Sequence, residues 1–197
     1  MKIYELLGDY KNYAAYDPDR EDLKKRVVQE SYTYIMCSRS DGKPWGDAWH
    51  PRVLKLDTYE ADAIGDFVFS PGENIPAMSE RAIEILRDCM GDFEMLPVKC
   101  DFGDNFWGVN ILNVLEDFTD FEKSEYIILG TRPVLPNGHP NVIDFKKRVF
   151  IPEKIIGYHI FRDADHPRKH AMVDDVFVDT VKKNGLTGCR FELIWEN

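Results

Sequence analysis

Ser79-Glu80-Arg81-Ala82-Ile83-Glu84-Ile85-Leu86-Arg87 is the stretch on which the fold turns. Ser79 is an N-cap residue, Glu80 sits in the first turn where negative charge meets the helix dipole, and Gly91 supplies the stop. Between them Ala82, Ile83, Leu86, Cys89 and Met90 recur at helical spacing, so one stripe of an amphipathic helix faces a core. A later stretch has the same form: Asp174-Asp175-Val176-Phe177-Val178-Asp179-Thr180-Val181-Lys182. Each runs cap, acid, variable, two apolars, acid, variable, apolar, base, and each then passes through a glycine (Gly91, Gly185) into a strand. Two readings stand open: an internal helix–glycine–strand repeat, or the form that any capped amphipathic helix must take.

Outward from these helices the pattern is one of strands. Residues 93–98 follow the first helix, and 106–114 read as a central strand with Trp107, Val109, Ile111 and Asn113 on one face. After the second helix Cys189, Phe191, Leu193 and Trp195 alternate with Arg190, Glu192 and Ile194, which places one face on a core. Residues 126–129 and 142–145 flank a turn-rich loop holding Pro133, Pro136, Asn137-Gly138 and Pro140, and 148–151 continue the second of these strands. Residues 2–7 (as an edge strand), 31–38, 49–56, 66–69 and 155–161 complete the set, with 9–19 polar and turn-rich and 20–28 a weak surface helix. The fold class is α+β, mainly antiparallel sheet with a few short helices. Residues 1–66 form a strand-rich segment packed on an α+β domain of residues 67–197, the whole being one unit.

The 197 residues carry 35 acidic and 25 basic side chains, a net charge of -10, with 44% hydrophobic and 13% aromatic residues. That is enough apolar mass for a core without disulfides or metal. An acidic surface repels phosphate, so neither nucleic acid nor an anionic membrane is an expected partner, whereas a basic protein is. Cys37, Cys89, Cys100 and Cys189 are scattered without a C-x-x-C pair, and Cys89 and Cys189 fall on apolar faces. Polar residues follow Met1 to Gly8 at once, and no window is apolar enough to span a bilayer, so a cytosolic location is expected.

No G-x-S-x-G elbow, G-x-G-x-x-G, Walker loop or H-E-x-x-H is present. The strongest metal candidate is Asp163, Asp165 and His166 with His170, but Pro167 opposes a helix there and Arg168 and Lys169 repel a cation. A solvated loop is the plainer reading. His159 reads as a satisfied strand histidine, His50 and His139 as exposed loop residues, and Cys100 has no partner to activate it. Neither a metal nor a cofactor is expected.

Charge says more. Asp101, Asp104, Glu116, Asp117, Asp120, Glu122 and Glu125 crowd one segment against Lys123 alone, interleaved with Phe102, Phe106, Trp107, Phe118 and Phe121. Acids around aromatics suit capture of a basic protein, and equally suit a buried aromatic strand with solvated ends. Asp101, Asp104, Glu116, Asp117, Asp120 and Glu122 are the candidate partner-binding residues.

The segment Pro76-Ala77-Met78-Ser79-Glu80-Arg81-Ala82, with Ile111-Leu112-Asn113-Val114-Leu115-Glu116-Asp117 and the closing Asn184-Gly185-Leu186-Thr187-Gly188-Cys189-Arg190-Phe191 through Trp195, resembles one known family. That is the eleventh immunity-protein family of bacterial polymorphic toxin systems, and the resemblance runs over residues 67–195. It implies an antidote that holds its cognate toxin stoichiometrically and has no catalytic residues. The matched positions are implied to be fold determinants: Ser79 caps, Gly185 and Gly188 turn, and Phe191 and Trp195 pack. Cys189 stands where a bulkier aromatic is expected. With a cytosolic location, the toxin is expected to act on a cytosolic target such as nucleic acid or a nucleotide cofactor, and a nuclease, being basic, would favour an acidic inhibitor. The alternatives are a metal-dependent enzyme using Asp163, Asp165 and His166, and a structural scaffold.

Overall fold

The computed structural model describes residues 1–18, 42–70, 76–166 and 169–197. The sequence-predicted helix at 20–28 and strand at 31–38 lie outside them. The first capped helix, α1 (Glu80–Met90), starts where the Ser79 side chain accepts the Ala82 N–H, and it buries Ala82, Ile83, Leu86 and Met90. The second, α3 (Asp175–Lys183), starts where Asp174 accepts the Phe177 N–H, and it buries Phe177, Val178 and Val181. Gly91 (φ 59°) and Gly185 (φ 60°) stop them in the left-handed region.

Around the helices lie two larger sheets and a hairpin. One sheet has six strands in the order β2 (Ala15–Pro18), β3 (Arg52–Asp57), β6 (Phe93–Cys100), β7 (Phe106–Ile111), β5 (Ala77–Ser79) and β4 (Phe67–Val68). The other has five, in the order β13 (Cys189–Glu196), β1 (Lys2–Gly8), β12 (Met172–Asp174), β11 (Ile160–Asp163) and β8 (Val114–Leu115). The hairpin pairs β9 (Glu125–Ile128) with β10 (Val142–Lys147). A single-turn helix, α2 (Pro152–Ile155), links β10 to β11.

The two helical units are built alike. β5 and β6 each run antiparallel to β7 between them, and β12 and β13 each run antiparallel to β1 between them. Each unit is therefore a split β-α-β with a third strand inserted. The match extends one strand further, since β4 flanks β5 as β11 flanks β12. In both, the cap residue donates its backbone N–H to the residue just before that flanking strand, Ser79 to Asp66 at 2.8 Å and Asp174 to His159 at 3.2 Å. The order β6-β7-β5-β4 in one sheet repeats as β13-β1-β12-β11 in the other. Of the two readings of the sequence match, the internal repeat describes the fold.

One hydrophobic cluster joins the units, with Phe67, Met78, Val109 and Ile111 from the first sheet, Leu6, Ile160 and Val173 from the second, and the buried stripes of α1 and α3. Asp66 ties them at the surface. Its carboxylate accepts from Ser79 Oγ (2.9 Å), Arg81 (2.8 Å) and the Thr187 N–H (3.1 Å). Gly65 and Gly188 meet beside it so closely that no side chain fits at either.

Several local expectations are corrected. β1 is central, not an edge strand, because its neighbours come from the far end of the chain and bury Ile3, Leu6 and Leu7. The apolar run after Asn105 breaks at Leu112 and Asn113. There the Asn113 amide donates to the Met90 and Ile160 carbonyls and accepts the Asp92 N–H, stitching the end of α1 to β11. β10 ends at Lys147, so 148–151 do not continue it, and 152–155 form helix α2, where Pro152 stands at a first-turn position open to proline. A bulge between Ile3 and Tyr4 shifts the β13 register. Phe191 thus packs with the main core, while Ile194 and Trp195 pack with a second cluster around Ile3, Phe118, Phe150 and Phe161. Leu193 is left 47% exposed.

Candidate functional site

The second cluster is the base of the β9–β10 hairpin. Tyr126 and Phe145 face each other across the two strands and meet edge to face at 6.1 Å. Just past β10, the Arg148 guanidinium lies 4.6 to 5.0 Å from the ring centres of Phe118, Phe145 and Phe150. It donates to Thr119 Oγ1 (2.6 Å) and to the Asp163 carboxylate at the end of β11. The same Asp163 oxygen stands 2.8 Å from His166 Nδ1, while His166 Nε2 stands 2.8 Å from the Val142 carbonyl of β10. Burial alone would push the Asp163 carboxyl up. The hydrogen bond with His166 and the charge of Arg148 outweigh it and hold the group below its ordinary value.

The hairpin tip is held as well. His139 places Nδ1 2.6 Å from Asp165 and Nε2 3.0 Å from Asp117, and its ring packs on Phe121 at 5.2 Å. Asn137 adds a 2.7 Å bond to Asp165. The hydrogen bond with Asp165 raises the His139 pKa, burial opposes it, and the charges of Asp165, Asp117 and Asp163 add to it. The hairpin is thus an arm clamped to the body at its root by Arg148, at the loop end of β10 by His166, and in the loop by His139.

Ile127, Ile128, Leu129, Val134 and Ile143, in the hairpin and its loop, are each between 39% and 53% exposed, with Ile127 and Ile128 on opposite faces of β9. Asp144 stands opposite Ile127 in the register, and Glu125 precedes Ile127 by two residues on the same face, opposite Lys147.

The six sequence-predicted carboxylates fall into two groups. Asp101 follows β6 and accepts the Leu56 N–H from β3 at 2.9 Å, and Asp104 is exposed in the same turn region. Glu116, Asp117, Asp120 and Glu122 follow β8, near the root of the arm. The six residues of β7 lie between the groups, a rise of about 17 Å. Within the second group Asp117 is engaged by His139 and takes a left-handed φ of 56°, and Asp120 holds the Lys123 N–H and ammonium. Glu116 and Glu122 are exposed. Of the interleaved aromatics, Phe106 and Phe118 are core residues.

The Asp163–His170 stretch is not a simple solvated loop. Asp163 is 4% exposed and engaged by Arg148 and His166, and Asp165 is engaged by His139 and Asn137. Pro167 and Arg168 lie outside the described residues. Among the described residues no three His, Cys, Asp or Glu side chains form a group able to hold a metal ion. Burial, with Asp101 and Asp104, pushes the Cys100 thiol up to about 11, and burial pushes Cys189 to about 12, so neither offers a thiolate near neutral pH. Among the described residues no helix is long and apolar enough to cross a membrane.

A model of the immunity protein family Imm11 matches residues 77–195, from the start of β5 to the end region of β13. The chain belongs to the Imm11 family. Its members are immunity proteins, so the role is to counter a toxin, and an inhibitor rather than an enzyme is implied. No curated protein matches the chain. The Imm11 match takes in both capped helices and the whole arm, while β1 and β4, which complete the two repeated units, come before it. Sequence reasoning placed His139 in an exposed loop, gave Arg148 no role, and read Asp163, Asp165 and His166 as a solvated loop or metal candidate and Asp117 as a partner-binding residue, so it missed the clamp that joins them. His139 and Asp165 are 26 residues apart and share no local pattern, so no signal in the sequence pairs them.

Proposed function

We propose that this immunity protein neutralises a basic, nuclease-type toxin in the cytosol by stoichiometric binding. The observation that carries the reading is charge. A net -10 chain exposes the carboxylates of Glu116, Glu122 and Glu125 just before and at the start of β9. A nuclease must hold phosphate and is therefore basic, and an acidic inhibitor gains both encounter rate and selectivity from that charge.

The test has two parts. Growth of cells producing the toxin domain encoded beside this chain in their cytosol should be rescued by the chain, and the two should co-purify. In stopped flow their association rate should fall about tenfold or more as salt shortens the screening length. A rate indifferent to salt overturns the electrostatic part. A toxin harmless in the cytosol overturns the location, and loss of rescue overturns the antidote itself.

A further inference from the structure

We infer that the cleft between residues 9–13 and the loop after β3 is a pocket for a lysine or arginine side chain of the cognate toxin, held by tyrosine rings and carboxylates. The inference rests on the antidote reading above and names the chemistry by which one toxin side chain is recognised.

The cleft has a volume of about 350 Å³, and Tyr10, Tyr13 and Tyr59 line it with Ala15, Asp57 and Glu60. Its floor comes from strand pairing. Ala15 of β2 stands directly opposite Asp57 of β3, so both side chains fall on one face, while Tyr16 turns to the other and is buried in a cluster with Leu54 and Val68. Ala15 is small, so the space above it stays open. One wall is a tight turn, in which the Asp9 carbonyl accepts the Asn12 and Tyr13 N–H groups at 3.1 and 3.0 Å. The Tyr10 ring there lies so close to Gly8 that a Cβ on the glycine would meet it at 2.7 Å. The other wall is set by Asp57, whose carboxylate accepts the Tyr59 N–H at 3.0 Å. The Ala14 N–H donates to the Ala63 carbonyl at 2.9 Å and ties the two walls together. A pocket fixed in this way loses little entropy when it is filled.

Two observations select a cation. Tyr59 is 89% exposed, the most of any large apolar side chain among the described residues, and three tyrosine rings in one cleft offer π density to a positive group. Charge points the same way. Over residues 9–17 and 55–62, Asp9, Asp17, Asp57, Glu60 and Asp62 stand against Lys11 and Lys55, a net -3 from five acids and two bases. Lys55 faces Asp17 across β2 and β3, and Arg190, whose charge reaches Tyr10, is paired with Glu192 at 3.4 Å. A lysine or arginine answers both features at once, with its methylenes along the rings and its charge toward Asp57 and Glu60. The volume lies at the lower end of ligand-sized cavities, which suits one long side chain with the backbone that carries it. Every lining residue precedes the matched residues 77–195, so the pocket lies outside the segment that marks the family and is free to be fitted to one toxin.

The test measures Kd by calorimetry for the toxin domain encoded beside the chain, inactivated at its catalytic centre, with urea midpoints as a folding check. Tyr59→Leu keeps apolar area and removes the ring, and Glu60→Lys reverses a pocket charge. Each should weaken binding about tenfold or more with an unchanged midpoint, while Tyr59→Phe, which keeps the ring, stays within about twofold. Val176→Ser, on the exposed face of α3, is the control and should change nothing. Alanine replacement of each lysine and arginine of the toxin domain then finds the occupant. One of these changes should lose affinity for the wild-type chain and lose no more for Tyr59→Leu. Unchanged affinity of Tyr59→Leu and Glu60→Lys alongside tight wild-type binding overturns the pocket and leaves the antidote standing. So does an equal loss in Tyr59→Phe or Val176→Ser, or a toxin with no cation coupled to Tyr59. A wild-type chain that does not bind overturns both.

Discussion

Replacing Arg148 with methionine tests the clamp that holds the arm. The arginine side chain is 11% exposed and its partner Asp163 is 5% exposed, so the pair is well removed from water. Methionine keeps the apolar stem against Phe118, Phe145 and Phe150 and removes only the charge and its hydrogen bonds. A buried carboxylate would be left with His166 and the Asp165 N–H as partners. Breaking a buried ion pair from one side costs about 3–5 kcal/mol, mostly the penalty of the stranded charge. His166 offsets part of that, so about 3 kcal/mol is expected for Arg148→Met in urea unfolding. Asp163→Asn in the same background removes the stranded charge, and the double variant should be less destabilised than the sum of the single ones by about 2 kcal/mol.

The pH dependence carries an independent sign. The Asp163 carboxyl is held below its ordinary value, so its contribution to stability is present above the ordinary carboxylate pKa and is lost as pH falls through the lowered folded value. Without Arg148 the folded value rises, and the acid limb of the stability curve should move to higher pH. A cost below about 1 kcal/mol, the value of an exposed pair, with additive single variants would refute the reasoning. The Arg148–Asp163 pair would then contribute no more to holding the arm than an exposed ion pair does.

Three further outcomes follow from contacts elsewhere. Gly188→Ala sets a methyl group against the Phe67 backbone at φ 90°, so strain and overlap together should cost about 3 kcal/mol or more. Gly185→Ala, at φ 60° with open space around it, should cost only about 1 kcal/mol, and equal urea midpoints for the two would refute the close approach. Asp66→Ala strips Ser79, Arg81 and the Thr187 N–H of a shared acceptor and should cost about 2–4 kcal/mol, read by the same denaturation. The raised pKa of His139 makes the arm tip pH-dependent. Its anchorage is full below the ordinary histidine value of about 6.5 and fades as pH climbs through the raised folded value. Amide exchange in the 130–141 loop should quicken over that range, after the intrinsic rate is removed, and His139→Gln should abolish the step.

The sequence is most legible where the physics is local. Ser79 and Asp174, with their apolar stripes and trailing glycines, mark both helices because capping and a 3.6-residue period each span only a few positions. β5 is three residues long, too short for any period to register, and β2 hides Tyr16 in an otherwise polar segment. β1 looks like an edge strand until β12 and β13 close on either side of it, and the bulge at Ile3 and Tyr4, which turns Trp195 to the other cluster, depends on that same distant pairing. The clamp is least legible of all. Arg148 meets Thr119 across 29 positions and Asp163 across 15, and nothing in their spacing distinguishes them from surface residues.

The division between scaffold and arm has a physical basis. In each repeated unit the helix buries its stripe against strands of its own sheet and against the other helix, so the main core is satisfied by the two copies together. A residue changed inside that core is felt at once through packing. The arm touches the second unit mainly through a small set of contacts: the Arg148–Asp163 pair, His166 on the Val142 carbonyl, and His139 with Asp165. Its outer side chains contact solvent, and exchanging them leaves the clamp and the core intact. The duplicated units therefore account for why the chain folds, and the inserted hairpin is fixed to them by this small set of contacts.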